Sequence, residues 1–427
     1  MNPRRDFLKS ASTTVLTTNL FTGRVKGAND RIRSAFIGMG RMGRGNLNAA
    51  MKQDNLEVAA VCDVYKPHLD QAVQLTEGKA KGIKDFREIL ADKSIDAVCI
   101  STPDHWHAYM TVEACKAGKD VYVEKPVCVT VEEGVKMVQA ARKYRRVVQA
   151  GTMQRSGVHF QKAVEVVKSG EIGQVTFVRT WNYSNAPKEG IGNPPDAQPP
   201  ADLDWDLWLG PAPLRPFNAN RFGVDPKAFS HFRWFWDYAG GMMTDWGIHL
   251  LDIVQMAFDE AMPSAITAIG NKYWLTDNRE TPDTLQVTYE YPGFLATYEN
   301  RNANAQSMFG KSYGITFHGT KGTLFVDRSL FLVIPEKGAS FTEREVKSSN
   351  NANVAHWANF LECIKTRQKP VSDIEVCQRS TTTCLLGNIA LRTRLRVDFD
   401  ANRWTAAQSE ARKMFSREER KPWKIVV

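Results

Sequence analysis

The stretch that most constrains the fold is "RIRSAFIGMGRMGRGNLNAAM", residues 31–51. A short apolar run leads into Gly38-x-Gly40-x-x-Gly43, and a helix-like segment follows. A strand, a glycine-rich turn and a helix in this order bring backbone amides and a helix N-terminus to the phosphates of a dinucleotide. The motif therefore predicts a dinucleotide site, to which Arg41 and Met42 in the same turn are expected to contribute.

A second apolar run, "LEVAAVCDV", ends near Asp63, twenty residues after Gly43. A carboxylate at this spacing accepts hydrogen bonds from a ribose 2′-hydroxyl and repels a 2′-phosphate, so NAD is favoured over NADP. The alternative is an aspartate that merely caps a turn or helix.

Strand-like and helix-like segments continue to alternate as far as residue 151. Strands are predicted at 95–101, 120–126 and 146–151, with helices at 66–76, 107–117 and 131–144. This alternation predicts an α/β fold with a doubly wound parallel sheet, whose ligand lies at the carboxyl ends of the strands. The segments "STPDHWH" and "EKP" fall at those ends and supply further candidate cofactor residues: Thr102, Pro103, His107, Glu124 and Lys125.

Farther along, "GGMMTDWGIHLLD" (residues 240–252) places Asp245 and His249 four residues apart. On one helix, positions i and i+4 share a face, so the carboxylate and the imidazole would project together. By itself such a pair is more often a structural contact than a functional one.

In their order and spacing, "GMGRMG", "CD", "TPDHWH", "EKP" and "GGMMTDWGIH" resemble the glucose-fructose oxidoreductase/inositol dehydrogenase (Gfo/Idh/MocA) family. The resemblance covers most of residues 31–400. It implies an N-terminal Rossmann domain (31–151) and a C-terminal α/β domain (152–427) with a large open, mostly antiparallel sheet facing the nicotinamide. It also implies Lys125, Asp245 and His249 as catalytic residues, and homo-oligomers.

The second half of the chain fits this expectation. Helices are predicted from "HFQKAVEVVKSGEIG", "NVAHWANFLECIKT" and "RSTTTCLLGNIALRTR", and strands from "QVTFVRTWNYS", "AITAIGNKYWL", "DTLQVTYEY", "LATYENRN" and "YGITFHGTKGTLFVD". The segment 184–229 is rich in Pro, Asn, Asp and Gly. A loop of that length usually covers a site or an oligomer contact.

The chemistry expected from the resemblance is oxidation of a secondary hydroxyl of a sugar or cyclitol. It requires a base, a hydride acceptor and a donor to the reacting oxygen. His249 suits the base and Lys125 the donor, although the two roles are interchangeable at this stage. Asp245 is expected either to orient a substrate hydroxyl or to hold His249.

Candidate substrate residues come from segments around the proposed centre. They are Arg155, Asn182, Arg233 and Trp246. For the aromatic side chains near Arg233, ordinary core packing is the alternative. His105 and His107 stand at i and i+2 of a helix start, where they do not share a face, and the ligand set is incomplete, so no metal is expected.

The first 30 residues begin "MNPRRDFLKSASTTVLTTNLF", which resembles a twin-arginine export signal. We therefore expect a periplasmic protein; a disordered basic tail is the alternative. No run reaches the ~18 apolar residues of a membrane span. The net charge of +9 is scattered outside the leader, so nucleic acid is not indicated, and the seven cysteines show no disulfide or zinc pattern.

Export affects the expected chemistry, because no NADH pool is expected outside the cytoplasm. A tightly retained NAD, reset within the site, resolves the conflict. Either one sugar is oxidised and a second sugar is then reduced, or a glycoside is cleaved through transient oxidation and elimination. The first is favoured because "TDWGIH" resembles the dehydrogenase branch. A non-catalytic nucleotide- or sugar-binding sensor is the third hypothesis.

Overall fold

A computed structural model describes residues 31–223 and 230–427; the proposed leader lies outside these residues. The N-terminal part is built on a six-stranded parallel sheet with the order β3-β2-β1-β4-β5-β6. The strands are β1 Ile32–Ile37, β2 Leu56–Cys62, β3 Lys81–Ile83, β4 Ala97–Ile100, β5 Asp120–Val123 and β6 Val148–Ala150. The helices are α1 Arg41–Ala50, α2 Lys66–Leu75, α3 Phe86–Ala91, α4 Asp104–Lys116 and α5 Val131–Lys143.

The predicted doubly wound sheet is thus confirmed. Sequence patterning missed β3 and α3, because β3 has three residues of which two are exposed, so it carries no apolar run. The strand order reverses between β1 and β4, and this is where open parallel sheets form a ligand crevice.

The C-terminal part contains a ten-stranded sheet with the order β16-β15-β14-β13-β7-β12-β11-β10-β17-β18, and β8 and β9 form a separate ribbon. Its strands are β7 Val175–Tyr183, β10 Ala265–Asn271, β11 Thr284–Tyr291, β12 Phe294–Arg301, β13 Tyr313–Gly319, β14 Gly322–Val326, β15 Leu330–Pro335, β16 Arg344–Lys347, β17 Val397–Asp400 and β18 Thr405–Ala406, with β8 Asp196–Ala197 and β9 Phe217–Asn218 in the ribbon. The helices are α6 Val158–Lys168, α7 Trp205–Leu209, α8 Ala219–Phe222, α9 Gly241–Asp245, α10 Gly247–Ala257, α11 Ala352–Thr366, α12 Ile374–Thr393 and α13 Ser409–Arg412.

The large sheet is open and mostly antiparallel, as expected; β7 and β12 pair in parallel. One face is covered by α10 and α12, and within residues 31–223 and 230–427 the other is largely bare. In β11, for example, Leu285, Val287 and Tyr289 are buried while Gln286 and Glu290 are exposed. This alternation is typical of a sheet with one face on the core.

The two parts of the chain are interleaved. Helix α11 lies between β16 and β17 of the large sheet in sequence but packs on the N-terminal sheet, where Trp357 stacks on Tyr122 with ring centroids 4.5 Å apart. The C-terminal tail also returns to the N-terminal part and places Trp423 against Trp106 at 4.9 Å. Helix α12 contacts β10 of the large sheet as well as α5 and β6 of the N-terminal part, and so joins the two sheets.

Two further observations concern the described residues as a whole. None of their helices is both long enough and apolar enough to cross a membrane. All seven cysteines are buried and free.

Candidate active site

In the glycine loop after β1, Gly38 and Gly43 pack closely against backbone atoms, whereas Gly40 faces open space. Gly38 has φ +84°, and a Cβ there would lie 2.6 Å from the amide nitrogen of Thr102. A Cβ at Gly43 would lie 1.9 Å from the carbonyl oxygen of Gly38, whereas one at Gly40 would meet nothing within 4 Å. Gly40 also begins α1 without a side-chain cap. The loop therefore leaves a helix N-terminus accessible, which fits a dinucleotide phosphate.

Asp63 follows β2 and is buried. Its Oδ2 accepts a hydrogen bond from the amide of Met39 at 2.7 Å, and its Oδ1 accepts one from the amide of Tyr65 at 2.8 Å. The carboxylate thus ties the end of β2 to the glycine loop and stabilises a turn at the same time. The turn role considered from the sequence is real, and it places the carboxylate beside the cleft.

A cleft runs along the carboxyl edge of the parallel sheet. Most of the candidate cofactor residues line it: Gly38, Gly40, Arg41, Met42, Asp63, Thr102, Pro103, His107, Glu124 and Lys125. Phe222 and Gly223, from the loop-rich segment after β7, close one side. This agrees with a covering role for that segment, of which residues 224–229 lie outside the described part.

At one end of the cleft, Lys125 and Arg233 share a buried carboxylate. Lys125 Nζ lies 2.7 Å from Asp245 Oδ1 and 2.9 Å from the Asp245 carbonyl oxygen. Arg233 Nε lies 2.9 Å from the same Oδ1. Burial raises the pKa of Asp245, but the charges of Arg233 and Lys125 outweigh it and hold the pKa well below its usual range. Asp245 is therefore an anion that fixes the lysine at the cleft.

The segment around Asp245 and His249 is not the single helix expected from the sequence. Helix α9 ends at Asp245, α10 begins at Gly247, and the amide of His249 donates to the carbonyl of Trp246 at 3.0 Å. Among the described residues, His249 Nδ1 has no hydrogen-bond partner, and Asp245 is engaged by the two cations instead. Burial, followed by the charge of Lys125, lowers the pKa of His249 well below its usual range, so the imidazole is neutral at neutral pH.

Glu124 and His107 connect the loops around the cleft. Glu124 Oε1 accepts from Asn46 Nδ2 at 2.8 Å, and burial raises the pKa of Glu124. The ring nitrogens of His107 lie 2.7 Å from the Pro126 carbonyl oxygen and 2.8 Å from the Thr102 carbonyl oxygen. His107 therefore links the loop after β4 to the loop after β5.

Trp246 and Asn182, two of the expected substrate residues, lie on the side of the second domain. Trp246 packs on Tyr313 with ring centroids 4.8 Å apart, and the Arg328 guanidinium lies 4.8 Å above the Trp246 ring. Asn182 on β7 is paired in register with Tyr313. Sequence analysis missed Tyr313 and Arg328, because neither belongs to a motif and both reach the site through the pairing of distant strands.

Arg155 corrects the sequence-based expectation of a substrate residue. Its guanidinium is buried, with Nε 2.8 Å from Asp252 Oδ2 and Nη1 2.7 Å from Glu260 Oε1. These carboxylates occupy its donors, so a substrate role does not follow from its placement. His105 is buried, and its Nε2 lies 3.0 Å from the Trp208 carbonyl oxygen.

Asp104, the first residue of α4, was also missed although it lies inside "TPDHWH". Its side chain is buried beside the cleft, and burial raises its pKa to about 8 against the attraction of Arg233. It is a second buried acid close to the Lys125–Asp245 pair. In residues 31–223 and 230–427, no cluster of three or more metal-ligating side chains is present.

These features define a class: a dinucleotide-binding α/β protein in which a second domain places ionisable side chains at the carboxyl edge of the Rossmann sheet. Comparison with known families agrees. Residues 32–152 match the oxidoreductase family's NAD-binding Rossmann fold and residues 157–425 match its C-terminal alpha/beta domain. The chain belongs to the Gfo/Idh/MocA oxidoreductase family.

Three similar proteins illustrate the range of the family. The chain is 31% identical to an inositol 2-dehydrogenase of Salmonella paratyphi B over 37% of its own length and 48% of that protein. It is 30% identical to a glycosyl hydrolase family 109 protein of Shewanella pealeana over 34% of each chain. The chain thus spans at most about half of these relatives. The crystal structure of an aldose-aldose oxidoreductase from Caulobacter crescentus, complexed with glycerol, shares the fold with TM-score 0.65 at 19% identity, covering 86% of this chain and 100% of that one.

Proposed function

We propose that the protein is a NAD-dependent oxidoreductase that acts on a secondary hydroxyl of a sugar or cyclitol and retains its NAD tightly. One observation carries the proposal: Lys125 is held at the cofactor cleft by Asp245, with the neutral imidazole of His249 on the adjacent helix. A fixed ammonium and a neutral base are what removal of a hydroxyl proton requires.

The residues divide the work as follows. When bound, NAD supplies the hydride acceptor, held by the glycine loop and by Asp63. His249, on the helix that follows Asp245 and neutral at neutral pH, accepts the hydroxyl proton. Lys125 Nζ donates to the reacting oxygen and stabilises its developing charge. Asp245 acts as a positioning residue, because it accepts hydrogen bonds from the lysine and not from the histidine.

The choice of NAD over NADP rests on Asp63. Its carboxylate is fixed beside the cleft by two backbone amides. A 2′-phosphate in the same place would meet a fixed negative charge.

Tight retention of NAD rests on the leader. Residues 1–30 carry the twin-arginine pattern, and a protein exported to the periplasm meets no cytoplasmic NADH pool. The proposal therefore includes a closed cycle in which a second sugar reoxidises the cofactor. It also includes a homo-oligomer formed through the bare face of the ten-stranded sheet.

Glycoside cleavage by transient oxidation and elimination is the second candidate, favoured by the similarity to a glycosyl hydrolase family 109 protein. It uses the same hydride acceptor and base. A nucleotide- or sugar-binding sensor is the weaker third candidate, since it gives no reason for a neutral histidine next to a fixed lysine.

The first experiment is to purify the protein without added nucleotide, denature it and identify the released compounds by mass spectrometry. About one NAD per chain after gel filtration supports retention; empty protein contradicts it. Sugars and cyclitols are then added singly, and bound NADH is followed by absorbance.

Variants separate the three candidates. Lys125→Met and His249→Asn should keep NAD and lose NADH formation, whereas a sensor would show no NADH formation in any form. Release of the phenol from an aryl glycoside, with deuterium from D₂O appearing beside the oxidised carbon, would favour the glycosidase.

A further inference from the structure

Arg328 is a partly buried cation beside the proposed centre that the mechanism above does not use. It lies between β14 and β15, and its guanidinium packs over the Trp246 ring at 4.8 Å. The Trp246 ring lies beside that of His249, with centroids 6.1 Å apart. Arg328 is therefore next to the proposed base.

The orientation of Arg328 is fixed on one edge. Its Nε donates to Gln154 Oε1 at 3.0 Å, and Nε2 of the same glutamine donates to the His249 carbonyl oxygen at 2.7 Å. Gln154 is buried. The glutamine thus sets the position of the guanidinium relative to the backbone of the histidine.

The other edge of the guanidinium carries its two terminal nitrogens, Nη1 and Nη2. Within residues 31–223 and 230–427, no carboxylate forms an ion pair with Arg328, and its terminal nitrogens make no hydrogen bond. The neighbouring acid, Asp327, is already occupied: its Oδ1 accepts from the amides of Ser329 and Leu330, and its Oδ2 lies 3.2 Å from Lys311 Nζ. The Nη edge of an arginine matches the two oxygens of a carboxylate.

The charge balance of the centre points the same way. Arg328, Lys125 and Arg233 are cations, and Asp245 is held ionised by a lowered pKa. Burial raises the pKa of Asp104 to about 8, so Asp104 is mostly protonated at neutral pH, and even an ionised Glu124 leaves two anions against three cations. The centre therefore has more positive than negative charge at neutral pH, which favours an anionic ligand.

We propose that the Nη edge of Arg328 binds a carboxylate of the substrate, so that the protein acts on acidic sugars, such as uronosides, in preference to neutral ones. The proposal rests on the proposed function for the identity of the site. It adds the chemical class of the substrate. The apolar face of the sugar ring would lie against Trp246 and Tyr313.

The test compares sugars that differ only in the carboxylate. Binding of methyl β-D-glucuronide and methyl β-D-glucoside to NAD-saturated protein is measured by calorimetry, and the two galacto epimers are compared in the same way. At least one acidic sugar should bind about tenfold more tightly than its neutral partner, or better, as a charge-assisted hydrogen bond implies.

Variants assign the preference to Arg328. Arg328→Gln should reduce it to about twofold or less, and Arg328→Lys, which keeps the charge but loses the planar fork, should give an intermediate value. Arg403→Gln is the matched control, because Arg403 is an exposed arginine in the turn after β17. Thermal midpoints show whether each variant is folded.

Each outcome decides the proposal. Equal or weaker binding of both acidic sugars by the wild type overturns it without any variant, and so does tighter binding of glucose 6-phosphate than of either uronoside. An unchanged preference in folded Arg328→Gln also overturns it. Acidic sugars that bind selectively without forming bound NADH would leave the inference intact and contradict the proposed function. If neutral sugars formed bound NADH while acidic sugars failed to bind, the proposed function would stand and this inference would be contradicted.

Discussion

Three glycines of one loop and helix give a graded test of the dinucleotide site. Gly43→Ala, Gly40→Ala and Gly45→Ala each add one methyl group within six residues of one another. The Cβ would lie 1.9 Å from the Gly38 carbonyl oxygen in the first variant, and would meet nothing within 4 Å in the other two. Gly45 is exposed on α1, away from the cleft, whereas Gly40 lines the cleft.

The expected magnitudes follow from these positions. In Gly43→Ala the loop must move by about 1 Å or more, and such overpacking costs about 1–3 kcal/mol of unfolding free energy. Gly45→Ala should stabilise the protein by about 0.5–1 kcal/mol, because alanine is the better helix former. Gly40→Ala should change stability by about 1 kcal/mol or less. Its methyl group, however, occupies the approach of a phosphate, and losing one charge-assisted hydrogen bond raises the Kd for NAD about tenfold to a hundredfold.

The assay measures thermal midpoint without nucleotide, and the Kd for NAD by calorimetry after removal of any bound cofactor. Only Gly43→Ala should lose both stability and NAD, and only Gly40→Ala should lose NAD alone. If Gly40→Ala bound NAD like the wild type, the phosphates would not lie on this loop and the assignment of the cleft would be wrong.

Three further predictions concern aspartates. Asp245→Asn leaves two buried cations without their shared carboxylate and should lower the free energy of unfolding, measured in urea, by about 3–5 kcal/mol. The control Asp70→Asn, which breaks an exposed ion pair, should lower it by about 1 kcal/mol or less. Equal losses in the two variants would contradict the argument from burial. Burial raises the pKa of Asp104 to about 8 from about 3.9 in an unfolded chain, so its contribution to stability is complete below about pH 4 and lost as the pH rises to 8. Between pH 5 and pH 8 the thermal midpoint of Asp104→Asn should therefore fall less than that of the wild type. Parallel curves of midpoint against pH for the two proteins would refute this. Asp63→Ala should weaken NAD binding about tenfold or more and narrow the preference over NADP, whereas exposed Asp54→Ala should leave both Kd values unchanged.

Comparison of sequence and structure shows why some residues were found and others were not. The glycine loop, Asp63 and Lys125 were identified because each stands directly after a strand of a parallel sheet, and the carboxyl ends of such strands meet at one edge. That these residues lie close together in the fold therefore follows from local sequence patterns alone. Asp245 and His249 were identified through a family motif. The spacing does not show that the helix is interrupted at Trp246, so that the two side chains lie on different helices.

The sequence by itself determined the doubly wound sheet and the residues along the cofactor cleft, since alternation and glycine spacing are properties of contiguous segments; the open antiparallel sheet was expected from the family resemblance. Only the tertiary structure decided which charges meet. In the folded chain Arg233 and Lys125 both contact the carboxylate of Asp245, Arg155 forms a buried ion pair with Asp252, and Arg328 packs over the Trp246 ring. Such contacts join residues tens to hundreds of positions apart. They depend on strand order and helix packing, which no local pattern encodes.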